Sequence, residues 1–333
     1  MTKILYIGDL HLGAARATGT TTESVLVHEE QELLKLEKLI REVSPDVTFF
    51  LGDIFDKSVV SEILKVNLIR LFNSLDCDII CLAGNHDRKS FDSKQMCSLE
   101  LVGELSKAEV IFQEPKLINN HFCIPHVFNQ QRLDECLKEV PPNCTVLLHC
   151  NIESGFAAPE LSLNLDRNQI DTLIANGNTI ICGHEHSFRE LYQGKLIALG
   201  CHIVTSISDT ETDKFVMIRE DGVVSFNKCW DKTEKYIKVP WTELHTITDQ
   251  SIIEVTGEVT VSESIEAAKA VSQLRKTSKA FIVKNSAKIF NKDLEVNAED
   301  VTNFNIMEIF KAALDEETKS VVEEIVHELS TEA

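Results

Sequence analysis

What the chain lacks narrows the field first. None of its apolar stretches approaches the ~20 residues that a helix needs to cross a bilayer. Its opening apolar run is short and ends at Asp9, so no secretory leader is read there and a cytoplasmic, non-secreted protein is expected. The ten cysteines include no C-x-x-C pair, and Cys77, Cys81, Cys144 and Cys182 lie in or beside apolar runs. That pattern reads as buried reduced thiols rather than a disulfide framework or a zinc knuckle. Positive charge is scarce as well. Lys and Arg number 33 against 53 Asp and Glu, a net charge of −20, which argues against a protein that coats nucleic acid by charge alone. Local handling of nucleic acid stays open, because bound divalent cations reverse the sign at a site. No internal repeat and no low-complexity segment occurs.

What is present is enough for a sizeable core: 333 residues, 43% of them hydrophobic, a length that favours two domains. The first half alternates short apolar runs with amphipathic stretches. Lys3 to Ile7, Val47 to Leu51, Asp78 to Ala83, Thr145 to Leu148 and Thr179 to Cys182 read as buried strands. Val25 to Val43, Ser58 to Leu75 and Ser93 to Leu105 read as helices, so a layered α/β domain is expected. From Thr179 to Trp230 the pattern turns to short strands, with Gly194 and Asp221-Gly222 marking tight turns; a second, more antiparallel sheet is expected to pack on the first.

A linker is expected near Lys238-Val239-Pro240-Trp241. After it, Ser251 to Glu258 (strand), Ser262 to Leu274 (helix) and Ala280 to Val283 (strand) form a small β-α-β unit, and Phe304 to Leu314 and Glu316 to Leu329 read as closing helices. The division expected is thus 1–238, 239–300 and 301–333. Charge is uneven across the end of the chain. From Ser264 to Lys292 there are seven basic residues against Glu266 alone, and from Asp293 to Ala333 twelve acids against Lys311 and Lys319.

Each of the five strands runs into polar side chains: Asp9-Leu10-His11, Gly52-Asp53-Ile54-Phe55-Asp56, Gly84-Asn85-His86-Asp87, His149, and Gly183-His184-Glu185-His186. Ligands of open α/β sheets bind beyond the carboxyl ends of the strands, so these tips should converge. Asp9, His11, Asp53, Asn85, His149, His184 and His186 supply seven oxygen and nitrogen donors, enough for two five- or six-coordinate metals if Asp53 bridges. Carboxylate, amide and imidazole without thiolate favour Mn²⁺ or iron, with Zn²⁺ or Mg²⁺ as alternatives. Two such ions clamp a phosphoryl group and hold a hydroxide for in-line attack. His86 is surplus to coordination and suits a general acid on the leaving oxygen, with Asp87 fixing its tautomer. Each piece alone is weak, since a lone His149 in a strand is more often a satisfied core histidine and polar strand caps are common. All five in order outweigh that bland alternative. His28, His121, His126, His202 and His245 fit no slot and read as ordinary histidines.

In this order, the motifs resemble the signatures of the calcineurin-like metallophosphoesterases, over Lys3 to about Cys201. The resemblance implies a four-layer α/β/β/α domain, one metal on Asp9, His11, Asp53 and His186, another on Asp53, Asn85, His149 and His184, and His86 as the catalytic acid. Asp9-Leu10-His11-Leu12-Gly13 and Gly52-Asp53-Ile54-Phe55-Asp56-Lys57-Ser58 are similar to the nuclease branch. That branch includes SbcD-type repair exonuclease subunits and the recombination endonuclease subunits of large tailed phages, whose cytoplasm would be the host's. Leu199-Gly200-Cys201-His202-Ile203-Val204-Thr205-Ser206 departs from the branch's Pro-Gly-Ser pattern by lacking the Pro and the first Ser.

The resemblance further implies a small α/β DNA-capping domain, with Lys276, Lys279 and Lys284 as candidate backbone contacts, although a solvated helix face explains the basic run as well. It implies closing helices that dock on an SbcC-type SMC-like ATPase, and a homodimer through the helices after the second and third motifs. Val59, Val60, Ile63, Leu64, Leu68, Leu71 and Phe72 are compatible with that dimer or with packing on the sheet. The activity implied is Mn²⁺-dependent exonuclease action on duplex ends and endonuclease action on single strands, in DNA recombination and repair. Two rivals stand beside it: a small-molecule or cyclic-nucleotide phosphodiesterase, and a catalytically inactive scaffold on the same fold.

Overall fold

β1 (Lys3–Ile7) begins the first sheet, and its alternation divides it cleanly between two layers. Ile4 and Tyr6 face one apolar layer, while Leu5 and Ile7 face another. The computed structural model describes residues 2–14, 22–88, 96–153, 163–204, 206, 208–230, 236–246, 252–278, 280 and 282–290. The expected docking segment 301–333, Lys279 and the beginning of the helix expected from Ser93 lie outside those residues.

After β1 come α1 (Thr22–Val43), β2 (Val47–Phe50), α2 (Glu62–Ser74), β3 (Asp78–Leu82), α3 (Ser98–Leu105) and β4 (Glu109–Ile111). β1 pairs in parallel with β2, β2 with β3, and β3 with β4. α2 starts four residues later than the sequence pattern suggests, because Ser61 caps it: its Oγ accepts from the Leu64 N–H at 3.4 Å. Leu64, Leu68, Leu71 and Phe72 bury one face of α2 against the sheet, in the cluster that also holds Leu36 and Ile40 of α1 and Leu99 and Val102 of α3. Such side chains, fully buried, contribute about 1.5–3 kcal/mol each.

The second sheet is built from β5 (Lys116–Ile118), β6 (His121–Ile124), β7 (Thr145–His149), β10 (Thr179–Gly183), β11 (Arg189–Leu191) and β12 (Leu196–Ala198). Between these strands come α4 (Gln130–Lys138), the short pair β8 (Asn151–Ile152) and β9 (Asn164–Leu165), and α5 (Arg167–Ala175). Its spatial order is β11-β12-β10-β7-β6-β5. The interior of this sheet, β6-β7-β10-β12, is parallel, and only the edges β5 and β11 are antiparallel. That differs from the antiparallel sheet expected. The hairpin β13 (Lys214–Glu220) and β14 (Val223–Trp230), turning at Asp221-Gly222, joins the first sheet instead, antiparallel to β1. Turn residues locate a hairpin without saying which sheet it joins.

Three apolar layers follow the element order. Helices α1 to α3 cover the first sheet, and α4 and α5 cover the second. Tyr6, Phe49, Leu51, Leu147, Ile181 and Leu199 fill the space between the sheets. This is the four-layer α/β/β/α arrangement that the sequence suggests.

Beyond it run β15 (Tyr236–Pro240), β16 (Ile252–Thr256), β17 (Glu258–Thr260), α6 (Ser264–Thr277), β18 (Ile282–Asn285) and β19 (Lys288–Phe290). A three-stranded sheet β15-β16-β18 carries Val271 and Leu274 of α6 on one face. The strand expected from Ser251 to Glu258 breaks at Gly257, where φ is +116° and the ladder cannot continue. Among the described residues, contacts group those up to 257 with 265–288, and 258–264 with 289 and 290. β17 pairs with β19.

Candidate metal centre

The tips of β1, β2 and β3 meet those of β7 and β10, so both sheets supply the site. Backbone geometry joins the first two loops. The N–H groups of Leu10 and His11 donate to the Asp53 carbonyl at 3.1 and 2.8 Å, with His11 and Asp53 both left-handed at φ 48° and 47°. Such conformations in non-glycine residues cost energy and cluster at functional sites. Two glycines make room. At Gly52, φ is +105° and a Cβ would stand 2.3 Å from His149 Nδ1; at Gly84 a Cβ would stand 2.1 Å from Asp53 Oδ1. Any larger residue would displace a candidate ligand.

Asp9 and Asp53 are buried, at 0% and 1% exposure, so two carboxylates sit where water cannot screen them. The His184 N–H donates to Asp9 Oδ2 at 3.0 Å, and the His86 N–H to Asp53 Oδ1 at 2.9 Å. The other oxygen of Asp53 lies 3.2 Å from His149 Nε2 and 3.7 Å from His11 Nε2, which gives Asp53 the central place expected of it. His149 Nδ1 donates to the Leu51 carbonyl at 2.8 Å; a carbonyl can only accept, so Nε2 carries the lone pair of the neutral ring. That nitrogen and His184 Nδ1 each lie 3.0 Å from Asn85 Oδ1. His11 Nε2 and His186 Nε2 face each other at 3.0 Å.

Ligand atoms of Asp9, His11 and His186 fall within 4.8 Å of one another, and so do those of Asp53, His149 and His184. All seven sequence-selected donors are therefore brought together. Their convergent lone pairs, a mixture of carboxylate, amide and imidazole, fit a pair of divalent cations.

Protonation equilibria are pushed apart across this cluster. Burial opposes a charge on His149, yet the Asp53 and Asp9 carboxylates overcome it and raise the ring to about 10, so without cations Nε2 holds a proton that a ligated cation would displace. Burial, with His149 adding, lowers His184 to about 3. Burial works to raise Asp53 too, but His149, His11 and His86 hold it well below the ordinary carboxylate range. Asp9 is raised by burial, with His149 opposing and Asp53 reinforcing. Divergent values among neighbouring groups mark functional sites.

His86 is exposed, stacks edge-on with His11 at 4.9 Å between ring centres, and has its Nδ1 2.8 Å from the Asp56 carbonyl. That carbonyl fixes the tautomer, the part expected of Asp87. Asp87 is fully buried and accepts from the N–H groups of Gly84 (2.9 Å), Phe55 (2.9 Å) and Ile54 (3.2 Å). It ties one motif loop to the other.

Several residues escaped the sequence reading. Asp56 stands in the second motif without an assigned role, and its Oδ1 lies 3.4 Å from His11 Nδ1. Asp209 has Oδ1 2.9 Å from His186 Nδ1; it lies beyond the motifs, with no spacing to betray it. Of the histidines read as ordinary, His126 packs 6.2 Å from the His149 ring, and the His202 N–H donates to the Asp9 carbonyl at 2.8 Å. Elsewhere, Lys276 is exposed on α6 beside Lys269 and Glu266, and Lys284 is exposed on β18.

The family description "calcineurin-like phosphoesterase" matches residues 2–188. A DNA double-strand break repair protein Mre11 from Nanoarchaeum equitans is 38% identical over 89 residues, 26% of this chain. The match spans 24% of that protein's length. The crystal structure of TT1561 of Thermus thermophilus superposes with a TM-score of 0.42 at 10% identity, over 68% of this chain and 99% of the other.

Proposed function

The chain belongs to the calcineurin-like phosphoesterases, and from that premise we propose that it is a two-cation DNA nuclease of recombination and repair. The family is one of dinuclear metal-dependent hydrolases, and no helix among the described residues is long and apolar enough to cross a membrane. The observation that carries the reading is the convergence of Asp9, His11, Asp53, Asn85, His149, His184 and His186, with exposed His86 beside them. One cation is assigned to Asp9, His11, Asp53 and His186, the other to Asp53, Asn85, His149 and His184. Mn²⁺ is the preferred ion for this donor set. Two such ions supply Lewis-acid polarisation of the phosphoryl oxygens and a lowered pKa for the attacking water.

The chain's own side chains do the remainder. Asp53 serves both halves of the cluster, being within 3.7 Å of His11 and 3.2 Å of His149. His86 offers Nε2, with Nδ1 held by the Asp56 carbonyl, and passes a proton to the leaving oxygen. DNA as substrate is supported by the name of the Nanoarchaeum equitans relative. Residues 239–300 are proposed as a DNA-capping domain, with Lys276, Lys279 and Lys284 on the phosphate backbone, and 301–333 as the segment that meets an SbcC-type ATPase. A homodimer through α2 is supported by Ile63 and Val66, exposed at 58% and 41% on the helix, and by Val59, exposed at 57% in the loop that leads into it.

The test is hydrolysis of an end-labelled linear duplex with Mn²⁺ by the wild-type chain and by His86→Gln. Cleavage that falls by about 10²- to 10⁴-fold in the variant, with both cations still bound, supports the reading. A wild-type chain that leaves DNA intact, alone and with its ATPase partner, while hydrolysing a small chromogenic phosphodiester would replace the nuclease with a small-molecule phosphodiesterase.

A further inference from the structure

His186 is held from two directions by residues outside the motifs. Its Nδ1 meets Asp209 Oδ1 at 2.9 Å, and Asp209 is 5% exposed. The other oxygen, Oδ2, accepts from the Ser206 N–H at 2.7 Å, while the Asp209 N–H donates to the Ser206 carbonyl at 3.2 Å. The carboxylate is thus fixed before it meets the ring. From behind, the fully buried Lys214 donates from Nζ to the His186 carbonyl at 2.7 Å. A register shift between Lys214 and Phe215 in the β13–β14 ladder accompanies this inward lysine. The same carbonyl accepts from the Cys201 N–H at 3.3 Å.

His186, Cys201 and Asp209 have ligand atoms within 4.8 Å of one another, which on its own suggests a third metal position. Lys214 argues otherwise, because its ammonium already interacts with Cys201 and supplies the positive charge there.

The two halves of the centre are backed unequally. In the Asp9–His11–His186 half, His186 Nδ1 is hydrogen-bonded to the Asp209 carboxylate at 2.9 Å, and Asp56 stands at an ion-pair distance of 3.4 Å from His11 Nδ1. In the Asp53–His149–His184 half, His149 is backed by the neutral Leu51 carbonyl at 2.8 Å. A carboxylate behind a ligating imidazole fixes its tautomer and raises its basicity.

We propose that Asp209, with Lys214 holding the main chain, is the positioning residue of His186 and makes the Asp9–His11–His186 half the tighter of two unequal cation sites. This rests on the two-cation reading above. The test is titration of the metal-free full-length chain with Mn²⁺, following the electron paramagnetic resonance signal of free Mn²⁺. Wild type should show two sites of different affinity. Asp209→Ala should weaken the tighter one by about 10- to 100-fold and leave the other unchanged. Asp209→Asn, which keeps one acceptor for the Nδ1 proton, should recover part of that loss. Two wild-type affinities in Asp209→Ala, or an equal fall in both, would overturn the proposal; if that variant fails to fold, Asp209→Asn with two wild-type affinities does the same. A wild-type chain that binds fewer than two Mn²⁺ overturns the two-cation reading itself. Two unequal sites, the tighter weakened in the variant, support the inference even if the wild-type chain never cleaves DNA.

Discussion

Asp87→Ala separates two roles that an aspartate next to a catalytic histidine can have. In the structure its carboxylate serves three backbone N–H groups, those of Gly84, Phe55 and Ile54, at 2.9, 2.9 and 3.2 Å. A buried donor left without an acceptor costs about 1–3 kcal/mol, so the substitution removes about 3–9 kcal/mol of support. Part of this is offset. Burial, reinforced by Asp53, pushes the Asp87 carboxyl up to about 6 against those same N–H donors. Keeping it ionised at pH 7 therefore costs the folded state about 3 kcal/mol, at 1.36 kcal/mol per unit above an ordinary aspartate. The net loss expected is about 3 kcal/mol at pH 7.

The pH dependence has a definite sign. The folded-state value lies above the unfolded one, so folding takes up a proton and the wild type is relieved of its charge penalty as pH falls from about 6 towards about 4. The alanine variant gains no such relief, and its deficit should widen by about 1 kcal/mol between pH 7 and pH 5. Urea unfolding of the metal-free chain at both values measures this, with turnover of a small phosphodiester under Mn²⁺ as the companion assay. A variant within about 1 kcal/mol of wild type whose turnover nevertheless collapses would refute the reasoning, because Asp87 would then act on His86 rather than on the loops.

Two further outcomes follow from other parts of the molecule. Burial, with Arg219 adding, lowers His121 to about 4; it accepts from the Tyr6 hydroxyl at 2.7 Å and donates to the Asn119 carbonyl at 2.8 Å. Above pH 7 it is neutral folded or unfolded, so its cost appears only as pH falls from about 6.5 and reaches about 3 kcal/mol near pH 4. His121→Gln should flatten that stretch of the stability profile, and parallel profiles would dismiss the idea. For the exposed apolar residues at the start of α2, changing Val59, just before the helix, and Ile63, in its first turn, together to Asp should convert a dimer to monomer in sedimentation without lowering stability, both side chains being more than half exposed; a wild type that sediments as a monomer removes the dimer.

The strands and the donors were legible because the chain marks them twice, by an apolar run and by the polar residues that end it. β1 spans the residues expected, Lys3 to Ile7, and each of the seven donors lies at a strand tip. What the sequence hid was pairing across distance. Asp221-Gly222 announces a hairpin, but nothing local says that β13 lies against β1. Asp87 follows His86 in sequence, and adjacency suggested a partnership; the chain turns so that Asp56, thirty positions earlier, supplies the acceptor instead. Asp209 is 23 positions from His186, in a short helical turn with no pattern of its own. Supporting residues need only present one atom to one other atom, so they leave no periodic trace.

That asymmetry has a physical source in where the centre lies. Asp9, Asp53 and Asn85 follow strands of the first sheet, while His149 and His184 belong to the ends of the second. The 3.2 Å between His149 Nε2 and Asp53 Oδ2 is therefore set by how closely two sheets approach, through Tyr6, Phe49, Leu51, Leu147, Ile181 and Leu199. Close-packed interiors have low compressibility and transmit strain, so that layer fixes the distance between the two sets of ligands. The left-handed backbone at His11 and Asp53 and the missing side chains at Gly52 and Gly84 then aim each donor inward. Strain and buried charge at the tips, each unfavourable alone, persist because the apolar layer beneath holds them in place.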